Sequence, residues 1–350
     1  MPKLTLVFAD GDASCVDVRS GETLLAAARR NGVSLASDCE VGDCQTCHAR
    51  VVAGDVEYDE YATISLSTDE VAAGEVLTCV ATATSDVTVQ LPYERGRLLP
   101  ARPFTMKVQS VTRVCESVVR LSARVTARTP LVFLPGQYVN LKIPGTDQWR
   151  SYSMANAAST DGFEFLMRLL DGGVMSRYLS DRATAGDVIE AKGPFGTFYL
   201  RENDKPVLMV AGGTGLAPMV AMLRAMIARN SSRNIILCFG VTRPGDLFYL
   251  EELNALRASL SSVDLRIAIM QGDALPHVSG VVTGLIRPGD VAGRDIYLCG
   301  PPAMTDRART VLAEQGADPS SVFVERFVPV SGAEAEAPLT NAAQLAGAES

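Results

Sequence analysis

Four cysteines carry the first chemistry that this chain can do. Cys39, Cys44 and Cys47 stand at C-x4-C-x2-C in one loop, and Cys79 follows in Leu77-Thr78-Cys79. Thiolates at this spacing match the ligand set of a [2Fe–2S] cluster. Gly42 is the one glycine inside the loop, where the backbone must turn tightly around inorganic sulfide. Small polar residues such as Asp43 and Thr46 leave backbone N–H groups free to bond the sulfurs. Structural zinc usually shows two C-x2-C pairs, and this chain has one. A redox dithiol would need a βαβ context that is absent here. A Rieske centre needs two histidines in C-x-H and C-x2-H boxes, and the only histidines are His48 and His277. Cys15, Cys115 and Cys238 lie in apolar, strand-like runs and read as core residues.

Three further groups offer phosphate chemistry. Arg150-Ser151-Tyr152-Ser153 supplies a phosphate clamp, a flat ring and a hydroxyl. Gly172-Gly173 runs into a short helix through Ser176, and a helix N-terminus after glycines suits an anion. Val207–Ala211 is a continuous apolar run, as in a buried parallel strand, and enters Gly212-Gly213-Thr214-Gly215-Leu-Ala-Pro218. That turn reads G-x-G-x-x-P, with Pro218 where a dinucleotide fingerprint has its third glycine. The acid expected at the end of the next strand is missing, and Gly240-Val241-Thr242-Arg243 stands there.

The elements that must position these groups follow from periodicity. Leu4, Leu6 and Phe8 alternate with polar neighbours, a second short strand runs through Cys15–Val18, and a helix over Leu24–Arg30 closes at Asn31-Gly32. A hairpin followed by a helix begins a β-grasp fold. Ala49–Val52 and Val87–Leu91 read as further strands. Glu94–Pro103 breaks the alternation and marks a boundary. Phe104–Val108, Val118–Val125, Tyr138–Ile143, Phe163–Leu169 and Val188–Lys192 suggest a small antiparallel β-barrel. Beyond Pro206, strands at 234–239, 265–270, 295–299 and 322–327 alternate with helices at 219–228, 249–260 and 304–314. This is a doubly wound α/β pattern with a parallel sheet.

The bulk properties narrow the function. The 350 residues carry a net charge of −8, which disfavours nucleic acid and anionic membranes as partners. Residues 1–95 hold 6 Lys/Arg against 16 Asp/Glu, so the acidity belongs to the first module. It reads either as a solvated face or as a docking face for a basic partner. The start is not a signal peptide, and no stretch approaches the ~18 apolar residues of a membrane span. Eight cysteines are too sparse for a disulfide scaffold, so the expected compartment is the reducing cytoplasm. Residues 331–350, rich in Ala, read as a disordered tail.

The cysteine loop, Arg150–Ser153, Gly193–Gly196, Gly213–Pro218, Tyr297–Pro301 and Glu325–Phe327 occur in one order that resembles the ferredoxin–NAD(P)H reductase superfamily. More closely, the chain resembles three-module reductases of bacterial aromatic-ring dioxygenases, of the benzoate and anthranilate type. The resemblance covers about residues 3–327. It implies a β-grasp [2Fe–2S] ferredoxin domain over 1–95, an antiparallel barrel binding FAD over 103–200, and an α/β domain binding NAD over 201–330.

It also implies roles. Cys39, Cys44, Cys47 and Cys79 would hold the cluster. Arg150 would contact the FAD pyrophosphate, Tyr152 would lie against the isoalloxazine, and Ser153 would bond near N5. The turn Gly173-Val174-Met175-Ser176 would bind the pyrophosphate too, and Arg168 would lie on the strand beside the flavin. Gly213, Thr214, Gly215 and Pro218 would line the nicotinamide dinucleotide site, Cys299 and Gly300 would sit near the nicotinamide, and Phe327 would cover the flavin. Ser151, Thr242, Arg243 and Pro301 complete the expected cofactor set. Tyr152, Ser153, Cys299 and Phe327 are the residues expected nearest the chemistry.

Electrons would pass from NADH, with NADPH an open alternative, through FAD and the cluster to a Rieske-type terminal oxygenase. A monomer is expected. The same modules serve soluble di-iron monooxygenases, and a redox sensor that does not turn over is the reading from another class.

Overall fold

Leu4, Leu6 and Phe8 are all buried, as their alternation requires, and set one face of β1 (Lys3–Val7) against the core. The computed structural model describes residues 1–59, 64–126, 131–157 and 162–327. The 331–350 tail lies outside the described residues. Two compact units result: Met1–Pro100 with Phe195–Thr197, and Ala101–Pro194 with the described residues from Phe198 onward.

In the first unit, β2 (Ala13–Asp17) pairs antiparallel with β1. Helix α1 (Leu24–Arg30) starts at Thr23, whose hydroxyl accepts the Ala26 N–H at 3.2 Å, and buries Leu24, Leu25, Ala27 and Ala28. There follow β3 (His48–Ala53), β4 (Val56–Tyr58), α2 (Thr68–Ala72), β5 (Glu75–Leu77), β6 (Ala81–Ala83) and β7 (Val87–Gln90). The sheet order is β2-β1-β7-β3-β5, with β4 and β6 paired separately. β7 runs parallel to β1 and antiparallel to β3. This helix-bearing mixed sheet is the expected β-grasp arrangement. Cys15 is exposed rather than buried, because the alternation of β2 turns Val16 inward instead. Cys115 is half-buried, and only Cys238 is the buried core residue expected of the three.

The second unit holds two sheets. β8 (Arg102–Arg113), β9 (Val118–Val125), β10 (Tyr138–Lys142), β11 (Trp149–Ser153), β12 (Gly162–Arg168) and β13 (Val188–Phe195) form one, with α3 (Val174–Asp181) between the last two. The order is β11-β10-β13-β8-β9-β12, and a bridge from Met154 to Phe165 joins the ends into a near-closed barrel. Met106, Leu121, Val139, Leu141, Phe165 and Ile189 fill it.

The other sheet is parallel throughout. β14 (Val207–Gly212), β15 (Ile235–Val241), β16 (Val263–Ile269), β17 (Val278–Ser279), β18 (Asp295–Gly300) and β19 (Val322–Arg326) lie in the order β17-β16-β15-β14-β18-β19. Helices α4 (Leu216–Ala228), α5 (Leu250–Ala258) and α6 (Pro302–Glu314) connect them. The chain leaves β14 toward β15 and returns on its other side at β18. Such a switch point opens a crevice at the strands' carboxyl ends. The barrel and this sheet share polar contacts: Arg224 of α4 donates to the Ala155 carbonyl at 2.9 Å and to Glu164 at 2.8 Å.

Candidate functional site

The cysteine loop leaves the end of α1 and is fastened on both sides. Arg29, in the last turn of α1, pairs with Glu40. Gln45 donates its side-chain N–H to the Ser65 carbonyl at 2.6 Å. Both Glu40 and Gln45 hold φ +57, a left-handed conformation costing about 1–2 kcal/mol in a non-glycine residue, so these contacts maintain a strained loop. Gly42, at φ +89, occupies the left-handed region that glycine adopts without strain.

The Val41 and Cys44 N–H groups point at Cys39 Sγ, at 3.5 and 3.4 Å, and the Cys39 N–H at Cys44 Sγ, at 3.5 Å. The Cys47 and Cys79 sulfurs lie 3.2 Å apart. The thiols therefore meet two by two. Hydrogen bonding from the Cys44 thiol holds Cys39 down at about 5, and the same bond pushes Cys44 up. In the second pair, bonding to Cys47 lowers Cys79 and raises Cys47. Among the described residues, no three His, Cys, Asp or Glu side chains gather round one point.

In the second unit the β10–β11 register sets Ser151 opposite Asn140, and its hydroxyl donates to Asn140 Oδ1 at 2.7 Å. Arg150 Nη2 donates to Gln148 Oε1 at 3.0 Å, and Nη1 to the Trp149 carbonyl at 2.7 Å. Ser153 is buried, Tyr152 half-buried, and burial pushes the Tyr152 phenol up against the pull of Arg150. Ahead of α3, a Cβ on Gly173 would lie 2.9 Å from Ser176 Oγ and 3.1 Å from the Leu170 carbonyl, so the turn is tight around this glycine. Ser176 Oγ accepts the Leu170 N–H at 2.8 Å. Val174 and Met175 send their side chains into the barrel core. Outward they offer first-turn N–H groups, which no helix satisfies internally.

A cavity of about 450 Å³ opens at the carboxyl ends of β14, β15 and β18. Arg168, Gly213, Thr214, Thr242 and Pro301 of the expected set line it. Gly215, Pro218, Arg243, Cys299 and Gly300 do not. A Cβ on Gly215 would lie 2.2 Å from the Cys299 carbonyl oxygen, so that glycine serves the packing of turn against strand. Pro218 is buried in α4, and Arg243 is exposed. Cys299 is fully buried, which pushes its thiol well above the ordinary range. Phe327 is half-buried, and its N–H donates to the Gly300 carbonyl at 2.9 Å.

Periodicity and motif missed several residues on this wall, among them Ser117, Asp246 and Arg307. Asp246 Oδ1 accepts the Ser117 hydroxyl at 2.5 Å, and Oδ2 accepts the Arg243 N–H at 3.2 Å. The cavity wall thus carries an acid five residues past the end of β15, inside the Pro244–Asp246 turn.

The pattern of a 2Fe-2S iron-sulfur cluster binding domain matches residues 7–84, an oxidoreductase FAD-binding domain 105–199, and an oxidoreductase NAD-binding domain 209–310. Over 329 residues the chain is 36% identical to the toluate 1,2-dioxygenase electron transfer component of Pseudomonas putida, covering 93% of this chain and 98% of that one. This chain belongs to the three-module ferredoxin–NAD(P)H reductases. The reductase is also 33% identical over 326 residues to the propane 2-monooxygenase reductase component of Rhodococcus jostii, with 89% of this chain and 88% of that one covered. Among solved structures it matches Amycolatopsis cytochrome P450 reductase GcoB at TM-score 0.71 and 31% identity, covering 93% and 99% of the two chains.

The reductase is an electron-transferring oxidoreductase with [2Fe–2S], FAD and NAD modules, and its side chains suit all three groups. Two thiol pairs with N–H groups aimed at sulfur fit a two-iron cluster, one pair per iron. The tight Gly173 turn at the start of α3 fits a pyrophosphate on a helix start. Gly213, at φ +54, has nothing nearer to its missing Cβ than Arg168 Nη1 at 4.0 Å, an open, cationic approach for a dinucleotide phosphate. Among the described residues, no helix is long and apolar enough to cross a membrane.

Proposed function

We propose that this reductase draws electrons from NADH and delivers them singly to a Rieske-type aromatic-ring-hydroxylating oxygenase. The observation that carries the proposal is the similarity to a toluate dioxygenase electron transfer component along 98% of that chain. When bound, the nicotinamide, flavin and iron–sulfur groups supply the conversion of a two-electron donor into one-electron steps.

The chain's own residues bind and orient these groups. Cys39 and Cys44 would hold one iron, and Cys47 and Cys79 the other. Arg150 and the Gly173–Ser176 turn would hold the FAD pyrophosphate, with Ser151, Tyr152 and Ser153 along the flavin. Gly213, Thr214, Thr242 and Pro301 would shape the dinucleotide cavity, and Arg168 and Arg307 would neutralise its phosphates. Cys299 would sit near the nicotinamide, Phe327 would cover the flavin until the nicotinamide displaces it, and Gly215, Pro218 and Gly300 would support the turn from behind. Asp246 would accept from ribose hydroxyls and repel a 2′-phosphate, which favours NADH. We place the modules at 1–95, 103–200 and 201–330. The protein would be a cytoplasmic monomer, in a reducing compartment that suits four cluster thiolates and four cysteines outside any disulfide.

Reconstitution with purified oxygenases tests the partner. NADH-dependent cis-dihydroxylation of a benzoate-type substrate, with no product when the reductase is omitted, is expected. The whole-length relationship to a propane monooxygenase reductase supports a second reading, a di-iron monooxygenase partner. Turnover of such a monooxygenase, with every Rieske oxygenase left unreduced, would replace the first reading with the second.

A further inference from the structure

The dinucleotide cavity takes part of its wall from the barrel. Ser117 stands in the hairpin between β8 and β9, which the Val114 N–H closes on the Val118 carbonyl at 3.0 Å. Ser117 and Asp246 both line the cavity, and both are half-buried. The Ser117 hydroxyl donates to Asp246 Oδ1 at 2.5 Å, and the Arg243 N–H donates to Oδ2 at 3.2 Å. Each carboxylate oxygen thus has one fixed donor, the first from the barrel and the second from the turn itself. A carboxylate offers about four acceptor sites, so about two remain for a ligand.

The hairpin grips the whole turn. The Glu116 N–H donates to the Gly245 carbonyl at 3.4 Å, and the Cys115 thiol to the Asp246 carbonyl at 3.7 Å. The Glu116 carboxylate lies beside Gly245, 2.8 Å from where a Cβ would stand. Ser117 is held from its other side as well. Its carbonyl accepts the Leu169 N–H at 2.8 Å, next to Arg168 of the cavity wall. An aspartate held only by its own turn samples several rotamers, and ordering it when a ligand binds costs affinity. Here Ser117 orders it beforehand.

We propose that Ser117 sets the coenzyme preference by holding Asp246 in place for the ribose hydroxyls of the dinucleotide. The inference rests on the assignment of Asp246 as acceptor for those hydroxyls. Ser117 is a positioning residue: it acts through Asp246, and the barrel thereby governs which nucleotide the α/β module takes. A fixed carboxylate accepts from a 2′-hydroxyl and repels a 2′-phosphate, and one free to swing aside does both less. Removing the Ser117 hydroxyl therefore weakens NAD⁺ while sparing or tightening NADP⁺, whereas lost packing would weaken both.

The test is isothermal titration calorimetry of NAD⁺ and NADP⁺ on the full-length, FAD-loaded, oxidised protein. Wild type, Ser117→Ala, Asp246→Ala and the double variant are compared. Wild type is expected to bind NAD⁺ the more tightly, and Asp246→Ala to bring the two affinities within about twofold of each other. In Ser117→Ala the NAD⁺ affinity should fall about threefold to tenfold, with the NADP⁺ affinity held or raised. Adding Ser117→Ala to Asp246→Ala should change neither affinity. Equal weakening of both nucleotides in Ser117→Ala, or a wild-type ratio there while Asp246→Ala collapses it, would overturn the role of Ser117 alone. A ratio unmoved in Asp246→Ala would overturn the assignment of Asp246, and the proposal with it. Should Ser117→Ala not retain FAD, a crystal structure of the wild type with NAD⁺ decides. Asp246 bridging the Ser117 hydroxyl and a ribose hydroxyl supports the role, and Asp246 turned away from either contradicts it.

Discussion

Gly213 and Gly215 stand two residues apart in one turn for different physical reasons. Gly213 sits at φ +54 with space in front of it, and Gly215 has the Cys299 carbonyl 2.2 Å from where a Cβ would be. Gly213→Ala carries a left-handed penalty of about 1–2 kcal/mol and puts a methyl where a phosphate would approach. It is expected to fold, to keep its flavin and to raise the KM for NADH about tenfold. Gly215→Ala must push the turn away from β18, and is expected to lower the thermal midpoint by several degrees and to lose nucleotide binding with it. Calorimetry and NADH saturation curves on the two variants check this. Equal thermal loss in both, or a normal KM in Gly213→Ala, would contradict the distinction.

At the level of elements, the anchor of α3 makes a pH-dependent prediction. Asp187 accepts from the Tyr178 hydroxyl at 2.7 Å, and from the Thr184 N–H and hydroxyl at 3.0 Å each. The Thr184 N–H first, then Tyr178, hold its carboxyl below the ordinary 3.8. A depressed folded value means stability that is present above the unfolded value and lost as pH falls through the folded one. Asp187→Asn is expected to cost about 1 kcal/mol at pH 7, discounted because the carboxylate is largely solvated. The difference should shrink as the pH falls below 3.8. Thermal unfolding of wild type and variant, followed by near-UV circular dichroism at neutral pH and near pH 3, reads this directly, and an offset equal at both would contradict it.

The same scale explains what the sequence disclosed. β14, β15 and β18 of the parallel sheet are buried apolar runs, and α1 and α4 have strong periodicity or burial, so these were legible, whereas β17 is two exposed residues and gave no signal. β4, β5 and β6 have three residues each and no room for alternation. α2 buries nothing and was not read from the sequence, although its Ser67–Glu70 capping box is a signal for a helix start. Strand ends brought Gly213, Thr242 and Pro301 to the cavity legibly. Ser117, Asp246 and Arg307 reach it only because the topology brings a barrel hairpin, a turn and α6 to the same crevice.

For the whole molecule, charge and cofactor content are the telling quantities. The first 95 residues hold 6 basic against 16 acidic residues, and the remainder holds 26 against 24. The acidity is concentrated on the module that carries the paired thiols, which suits the proposed delivery of electrons to a basic partner. The central claim is that one chain joins a two-electron donor to a one-electron outlet. The most direct measurement is an anaerobic spectral titration of the purified protein with NADH and, separately, with dithionite. The account predicts flavin and iron–sulfur absorbance that bleach together with NADH, and about three electrons taken up per chain with dithionite, two by FAD and one by the cluster. An uptake of two electrons, with flavin bands and no iron after anaerobic handling, would contradict it.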